Sequence, residues 1–482
     1  MKPTSTLGAA IGVLIAIALT VGAVLVAAST AAPASNAPAS SAAVSGPLSG
    51  PADVARTSPP RGGSFQDQQL TAYRGAAPTA DKAQSKLWFA EGSWWAVMIE
   101  PRTQTFQIFR LDWATQVWEV TGVVVDQRSY SEADVLWDGK HLYIASAASQ
   151  PYRSHAGLVS RFTYDLAKKA WTRDKGFPIQ LTSAGVTTMM IERDSTGRLW
   201  TTYIQNGRLM LNSTNGDDVA WGKPFAPPIK NVDTTAARAS IVASGKRIVV
   251  VWSNKAENAV FFAFHADGDS DSVWLATQEA VKGADEADDH LNAKAAVVGG
   301  EPRVYVAMKT SLDAAPNHNP NDAQMLLLEV RPDRSIQKYL AGRIRDLHTR
   351  PLVLIDQADG MLYFIATSPF GGGRVYYKRT PLDAISFAPG RGTALIASDA
   401  DPLINDVTST KQVVSVETGI VVLAFDKSTK RYLHGTLDLG GPRWTAKSRP
   451  AGNPGPAPTP GPSSGTSNGA SAPAPPPSPA PS

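Results

Sequence analysis

The residues best equipped for chemistry lie in two short stretches. One is residues 288–294, Asp-Asp-His-Leu-Asn-Ala-Lys, and the other is residues 346–350, Asp-Leu-His-Thr-Arg. Side chains alternate across an extended strand, so Asp288, His290, Asn292 and Lys294 are expected on one face, and Asp346, His348 and Arg350 on one face. An imidazole flanked by carboxylates suits proton transfer or metal ligation. Asp288, His290, Asp346 and His348 are therefore the candidate catalytic residues. Polar side chains at similar positions elsewhere are Glu132, Asp134, Arg238 and Asp406. Together with Asn292, Lys294 and Arg350 they form the candidate ligand-binding set. The plain alternative for each residue is an ion pair that ties neighbouring segments together. No metal and no cofactor are expected. There is no HExxH, no paired-histidine helix and no EF-hand spacing, and the oxygen-rich stretch 313–322 fits no calcium loop. With no cysteine, thiolate nucleophiles and disulfides are excluded.

The elements that must position these groups recur along the chain. Short apolar runs appear at 94–99 (WWAVMI), 141–146 (HLYIAS), 198–203 (RLWTTY), 247–252 (RIVVVW), 303–308 (RVYVAM), 361–366 (MLYFIA) and 420–425 (IVVLAF). They are spaced by roughly 47 to 60 residues, a repeat architecture. Continuous runs rich in β-branched and aromatic residues read as strands buried on both faces. A polar lead-in precedes each run and another strand follows it. After that strand comes a second mark, an acid or amide six residues before an aromatic: Asp112/Trp118, Asp165/Trp171, Asn215/Trp221, Asp333/Tyr339 and Asp438/Trp444. Two copies slip, Asp267/Trp274 and Asp383/Phe387. A short carboxylate can accept backbone N–H bonds in a tight turn, and the aromatic can anchor the outer strand on the next sheet. Seven such units predict an all-β fold, a seven-bladed β-propeller. Six blades plus an irregular cap, and a tandem pair of β-sandwiches, are the competing architectures.

The acid-and-tryptophan mark resembles the Asp-box of sialidase-like propellers, whose pattern is Ser-x-Asp-x-Gly-x-x-Trp. The resemblance covers most of residues 81–447. Here the spacing from acid to aromatic is one residue longer, and the nearest copy is Ser213-Thr214-Asn215-Gly216 before Trp221. The resemblance implies the fold. It would also imply an arginine triad, a tyrosine nucleophile with a glutamate, and an acid. Arg238 and Arg350 could supply two arginines, a third is not evident, and the family's Phe-Arg-Ile-Pro segment is absent. In such propellers the polar lead-ins line a central channel, where the candidate residues would converge.

The ends differ in composition from the middle. Residues 7–28 are almost wholly apolar, and Lys2 is the only charged side chain before Asp53. Residues 1–31 are expected to be a hydrophobic helix serving as a signal peptide or a membrane anchor. Residues 32–80 read as a disordered Ala/Pro/Ser linker, 81–447 as the propeller, and 448–482 as a disordered Pro-rich tail. The mature chain is expected to be secreted, or anchored on the outer side of the cytoplasmic membrane through this N-terminal segment alone, and to be a monomer. A net charge of +4 gives no electrostatic case for nucleic acid. Three function classes follow. The first is a propeller that binds a glycan or a cell-surface partner through its funnel. The second is a carbohydrate-active enzyme, a glycosidase or polysaccharide lyase, using the inner carboxylates and histidines. The third is a structural envelope protein.

Overall fold

The seven apolar runs form the second strands of seven antiparallel sheets: Ser93–Ile99, His141–Ala148, Leu199–Gln205, Arg247–Asn254, Glu301–Lys309, Met361–Ser368 and Ile420–Asp426. The structure is a computed structural model that describes residues 61–440, except 74, 76, 149–155, 184–185, 235–237 and 315. Met361–Ser368 is buried along its whole length, as a strand covered on both faces must be. Each second strand pairs with an inner strand: Leu87–Ala90, Ser131–Trp137, Val186–Arg193, Ala239–Ala243, Leu291–Val298, Thr349–Asp356 and Ile404–Thr408. Inner strands of successive sheets pack side by side around an axis. Buried apolar side chains fill every contact between neighbouring sheets. The fold is all-β, a seven-bladed β-propeller, and the count of six blades plus a cap does not hold.

Local sequence sets the hairpins. In blade 5 the inner strand turns at Gly299-Gly300, with φ +60° and +82°, between the paired residues Val298 and Glu301. Two consecutive positive φ angles make a tight hairpin whose twist matches the strands, and glycine adopts them without strain. At the other recurring mark, Asp112 Oδ1 accepts from the backbone of Ala114 (2.8 Å), and Asp165 Oδ1 from Ala167 and Lys168 (both 3.0 Å). Asp333 Oδ1 accepts from Ser335 (2.9 Å). In blade 3 the turn carboxylate is Asp217 rather than Asn215, accepting from Val219 and Ala220. The aromatics then reach the preceding blade. Trp171 meets Trp88 and Trp95 of blade 1, each at 5.8 Å between centroids, and Trp118 meets His434 of blade 7. Trp444 lies outside the described residues.

The last blade takes its outer strand from the other end of the chain. Arg61–Gln69 pairs antiparallel with Arg431–Asp438, so the ring closes by joining N-terminal to C-terminal sequence. Inside this joint Asp67 lies 2.9 Å from Nδ1 of His434, and Nε2 of His434 lies 3.0 Å from Oε1 of Gln116 in blade 1. Asp67 and His434 side chains are 2% and 0% exposed. The propeller therefore begins inside the stretch expected to be linker, ahead of residue 81. The sequence RGGSFQDQQ hid this strand because an outer strand alternates exposed and half-buried positions and needs no apolar run. The hydrophobic helix expected within 1–31 and the tail 448–482 lie outside the described residues. Among the described residues no helix is long and apolar enough to cross a membrane.

Candidate functional site

The channel is not open. Residues 77–86 join the closing strand to the inner strand of blade 1 by running down the axis. Oδ2 of Asp81 accepts from the Thr188 hydroxyl of blade 3 (2.6 Å) and pairs with Arg238 at the head of blade 4. Lys82 Nζ meets Asp289 of blade 5 at 2.8 Å. Nε2 of Gln84 donates to the Met189 carbonyl of blade 3 (2.9 Å), and the Gln84 carbonyl accepts from Thr408 of blade 7 (3.2 Å). Lys86 Nζ donates to the Ala133 carbonyl of blade 2 (2.8 Å). One segment thus binds the inner faces of blades 2, 3, 4, 5 and 7.

Four of the residues expected to bind ligand hold this segment instead. Asp134, fully buried, accepts from the backbone of Ser85 and of Ile191, both at 2.9 Å, and pairs with Lys411 at 2.7 Å. Asn292 donates to the Ala83 carbonyl (3.3 Å). Lys294 donates to the Ser85 hydroxyl (2.9 Å), and burial, with Lys411 beside it, pulls its ammonium down to about 7. Arg238 holds Asp81 so firmly that, against burial, the Asp81 carboxyl lies well below its usual range. Every buried charge needs such a partner.

The two expected catalytic pairs do not converge. His290 precedes its strand, with Nδ1 between Asp288 (3.0 Å) and Asp289 (2.9 Å), and its buried Nε2 has no hydrogen-bond partner among the described residues. Each carboxylate already holds an ammonium, Lys309 on Asp288 and Lys82 on Asp289. Their ligand atoms, with that of His290, lie within 4.8 Å of one another, close enough for a metal, but two lysines compete for the same oxygens. His348 is 2% exposed. It is wedged between blades 5 and 6, with Nε2 3.0 Å from the Arg391 carbonyl and Gly342 against its ring, where a Cβ would come within 2.7 Å of Nδ1. Burial drives its imidazole down to about 4, so it is neutral at ordinary pH. Asp346 caps a turn by accepting from Arg343 N (2.9 Å). The expected placement of Asp346 and His348 on the channel face is corrected. The register slips between Thr349 and Leu352, and Arg350 takes φ +52°, so alternation fails where it was assumed.

The same device recurs. Thr188 (φ +50°) and Asp406 (φ +52°) sit in register breaks of the inner strands of blades 3 and 7. Arg350 and Asp406 pair directly, and Lys427 adds a contact at 3.0 Å. Against burial, these two cations hold the Asp406 carboxyl below its usual range.

Glu132 is the exception. It stands near the head of the blade 2 inner strand, partly accessible, and among the described residues its side chain makes no hydrogen bond and no ion pair. Burial first, then the nearby carboxylates Asp81 and Asp406, push its carboxyl up to about 7, with Lys86 and Arg238 opposing. A group poised near neutrality can hold or release a proton and can accept hydrogen bonds from a ligand. Sequence reasoning missed Asp81, Lys82, Lys86, Asp289, Lys309, Lys411 and Lys427. The charges of 81–86, directly before the run LWFA, were the available signal.

No family model matches the sequence, and no curated protein is similar to it. Among solved structures, a polysaccharide lyase described as a PL25 ulvan lyase bound to a glucuronate–rhamnose-3-sulfate unit is 10% identical, with a TM-score of 0.49 over 77% of this chain and 94% of that one. AofleA from Arthrobotrys oligospora is 9% identical, with a TM-score of 0.44 over 68% and 88%. The NanB sialidase from Streptococcus pneumoniae is 11% identical, with a TM-score of 0.33 over 64% and 54%. The chain resembles the sialidase-like propellers in fold alone.

Proposed function

We propose that the protein is a carbohydrate-binding propeller whose ligand site is the mouth above residues 77–86. One observation carries this reading: in a mouth where the other charges have partners, the Glu132 carboxylate is, among the described residues, unpaired and partly accessible. The paired charges around it leave no strong net field for a highly charged partner, while sugar hydroxyls can donate to a lone carboxylate without bringing a counter-charge. The N-terminal apolar segment further leads us to infer export, by a cleaved signal or an anchor. N-terminal sequencing decides that point: a start near Ala32 means cleavage, and full-length protein recovered from the cytosol would overturn it. A glycan array probed with the full chain and its Glu132→Gln variant tests the binding site. The parent is expected to select a glycan and the variant to lose it by tenfold or more. Equal binding by both would overturn the proposal.

A second reading rests on the raised carboxyl of Glu132. A carboxyl at about 7 is matched to general acid–base work near neutral pH. Release of reducing ends or unsaturated products from the selected glycan, lost in Glu132→Gln, would favour an enzyme. Binding without turnover would favour a lectin.

A further inference from the structure

The loop 368–374 of blade 6 rises at the same end of the propeller as Arg350, since Thr349 pairs with Thr367 and Ser368 with Arg374. On one side of it stands Phe370, 39% exposed, its ring 5.3 Å from Nζ of Lys309, which in turn bonds Asp288. On the other side is a cleft of about 380 Å³, lined among others by Pro369, Arg374, Tyr376, Arg391, Ser398 and Asp399. The loop is held tightly. Gly372 has φ +122° and presses on the Leu403 backbone, where a Cβ would come within 2.7 Å.

The cleft carries two guanidinium groups against one carboxylate. Arg374 reaches Asp399 at 3.0 Å, and that carboxylate is 96% exposed. Arg391 donates from Nε to the Asp346 carbonyl at 3.3 Å, and among the described residues its terminal nitrogens make no further hydrogen bond and no ion pair. A planar guanidinium with its fork free is a ready receptor for a carboxylate or a sulfate, both of which it can bind bidentately. Among the described residues the arginines of the mouth, Arg238 and Arg350, are each paired with an aspartate, so selection for an anionic group would come from here. The exposed Phe370 ring between the two offers an apolar face to a sugar ring.

We propose that this cleft binds the anionic group of an acidic oligosaccharide whose remainder lies over Phe370 toward the mouth, so the ligand is a uronate-bearing or sulfated glycan. The inference rests on the glycan reading of the mouth. It is tested by equilibrium binding of the full chain to three labelled probes: an oligogalacturonate, a sulfated galactan oligosaccharide without uronate, and a neutral galactan oligosaccharide. One acidic probe is expected to bind at least about tenfold tighter than the neutral one, and which it is tells carboxylate from sulfate. Arg391→Ala is expected to remove that advantage and flatten its salt dependence while leaving neutral-probe affinity unchanged. Arg391→Lys is expected not to restore it, because an ammonium lacks the fork. Arg391 is exposed, so its variants are expected to keep the parent melting temperature. If acidic and neutral probes bind the parent equally, the inference fails. It also fails if Arg391→Ala keeps full affinity for the acidic probe while Glu132→Gln loses it, and the mouth then stands as the site by itself. If the parent binds no probe and no array glycan, the reading of the mouth fails with it.

Discussion

At the scale of the residue, Glu132, half-buried, and Lys294, buried, are both held against their ordinary acid–base preference, and each leaves a signature in stability against pH. The Glu132 carboxyl rises from 4.5 to about 7 on folding. The folded state therefore holds its proton more tightly than the unfolded state. This group favours folding fully below pH 4.5, and that contribution is lost as pH rises through 7. Glu132→Gln is expected to be more stable than the parent at pH 8, with the gap shrinking toward pH 4.5, as read by urea unfolding. A variant less stable than the parent at pH 8 would make Glu132 a structural tie. Lys294 has the opposite sign. Its ammonium falls from 10.5 to about 7, so the unfolded chain binds more protons between those values and stability rises with pH across that window. Lys294→Met is expected to exceed the parent at pH 7, with the difference narrowing toward pH 10. The contrast has a functional meaning: Lys294 holds Ser85, whereas Glu132 holds no residue among those described. A stability cost without a visible internal return is what a binding or catalytic group shows.

At the scale of the element, two joints decide the structure, and neither was legible from hydrophobic periodicity. One is the strand Arg61–Gln69, which closes the ring through Asp67 and His434. The other is the segment 77–86, which closes the channel. Breaking a buried charge pair by removing one partner typically costs about 3–5 kcal/mol. Arg238→Ala is expected to lose stability of that order by chemical denaturation, whereas Asp67→Ala, which leaves the buried Nδ1 of His434 without its partner, is expected to lose about 1–3 kcal/mol. A loss under about 1 kcal/mol for Arg238→Ala would mean that Asp81 is not anchored as described. The second strands were legible because a strand covered on both faces must be apolar throughout, as Met361–Ser368 is. The Asp112 and Asp165 turns were legible because carboxylates recur there at fixed spacing. The inner strands were only half legible. Asn292 and Lys294 face the axis as alternation requires, but the breaks at Thr188, Arg350 and Asp406 reset the alternation, and His348 turned into the contact between blades 5 and 6. No pattern of period two announces where a bulge will fall.

At the scale of the whole molecule, a ring of seven blades has its axis occupied by its own chain and its chemistry left at one end. Limited proteolysis with mass spectrometry is expected to yield a resistant core that retains residues 61–80, because the closing strand and the axial segment are both within it. A stable core beginning at residue 81 would contradict the closure. Charge at the mouth follows from the same architecture. Arg238, Lys309, Arg350 and Lys427 of blades 4 to 7, with Lys82 of the axial segment, neutralise Asp81, Asp288, Asp289 and Asp406, so few charged groups there are left unpaired. The most direct measurement is a crystal structure of the full chain with the glycan that binds it best. A sugar hydroxyl is expected within hydrogen-bond distance of the Glu132 carboxylate, with residues 77–86 in place beneath it. A ligand seated elsewhere with Glu132 untouched, or one that displaces residues 77–86 to enter the axis, would contradict the site.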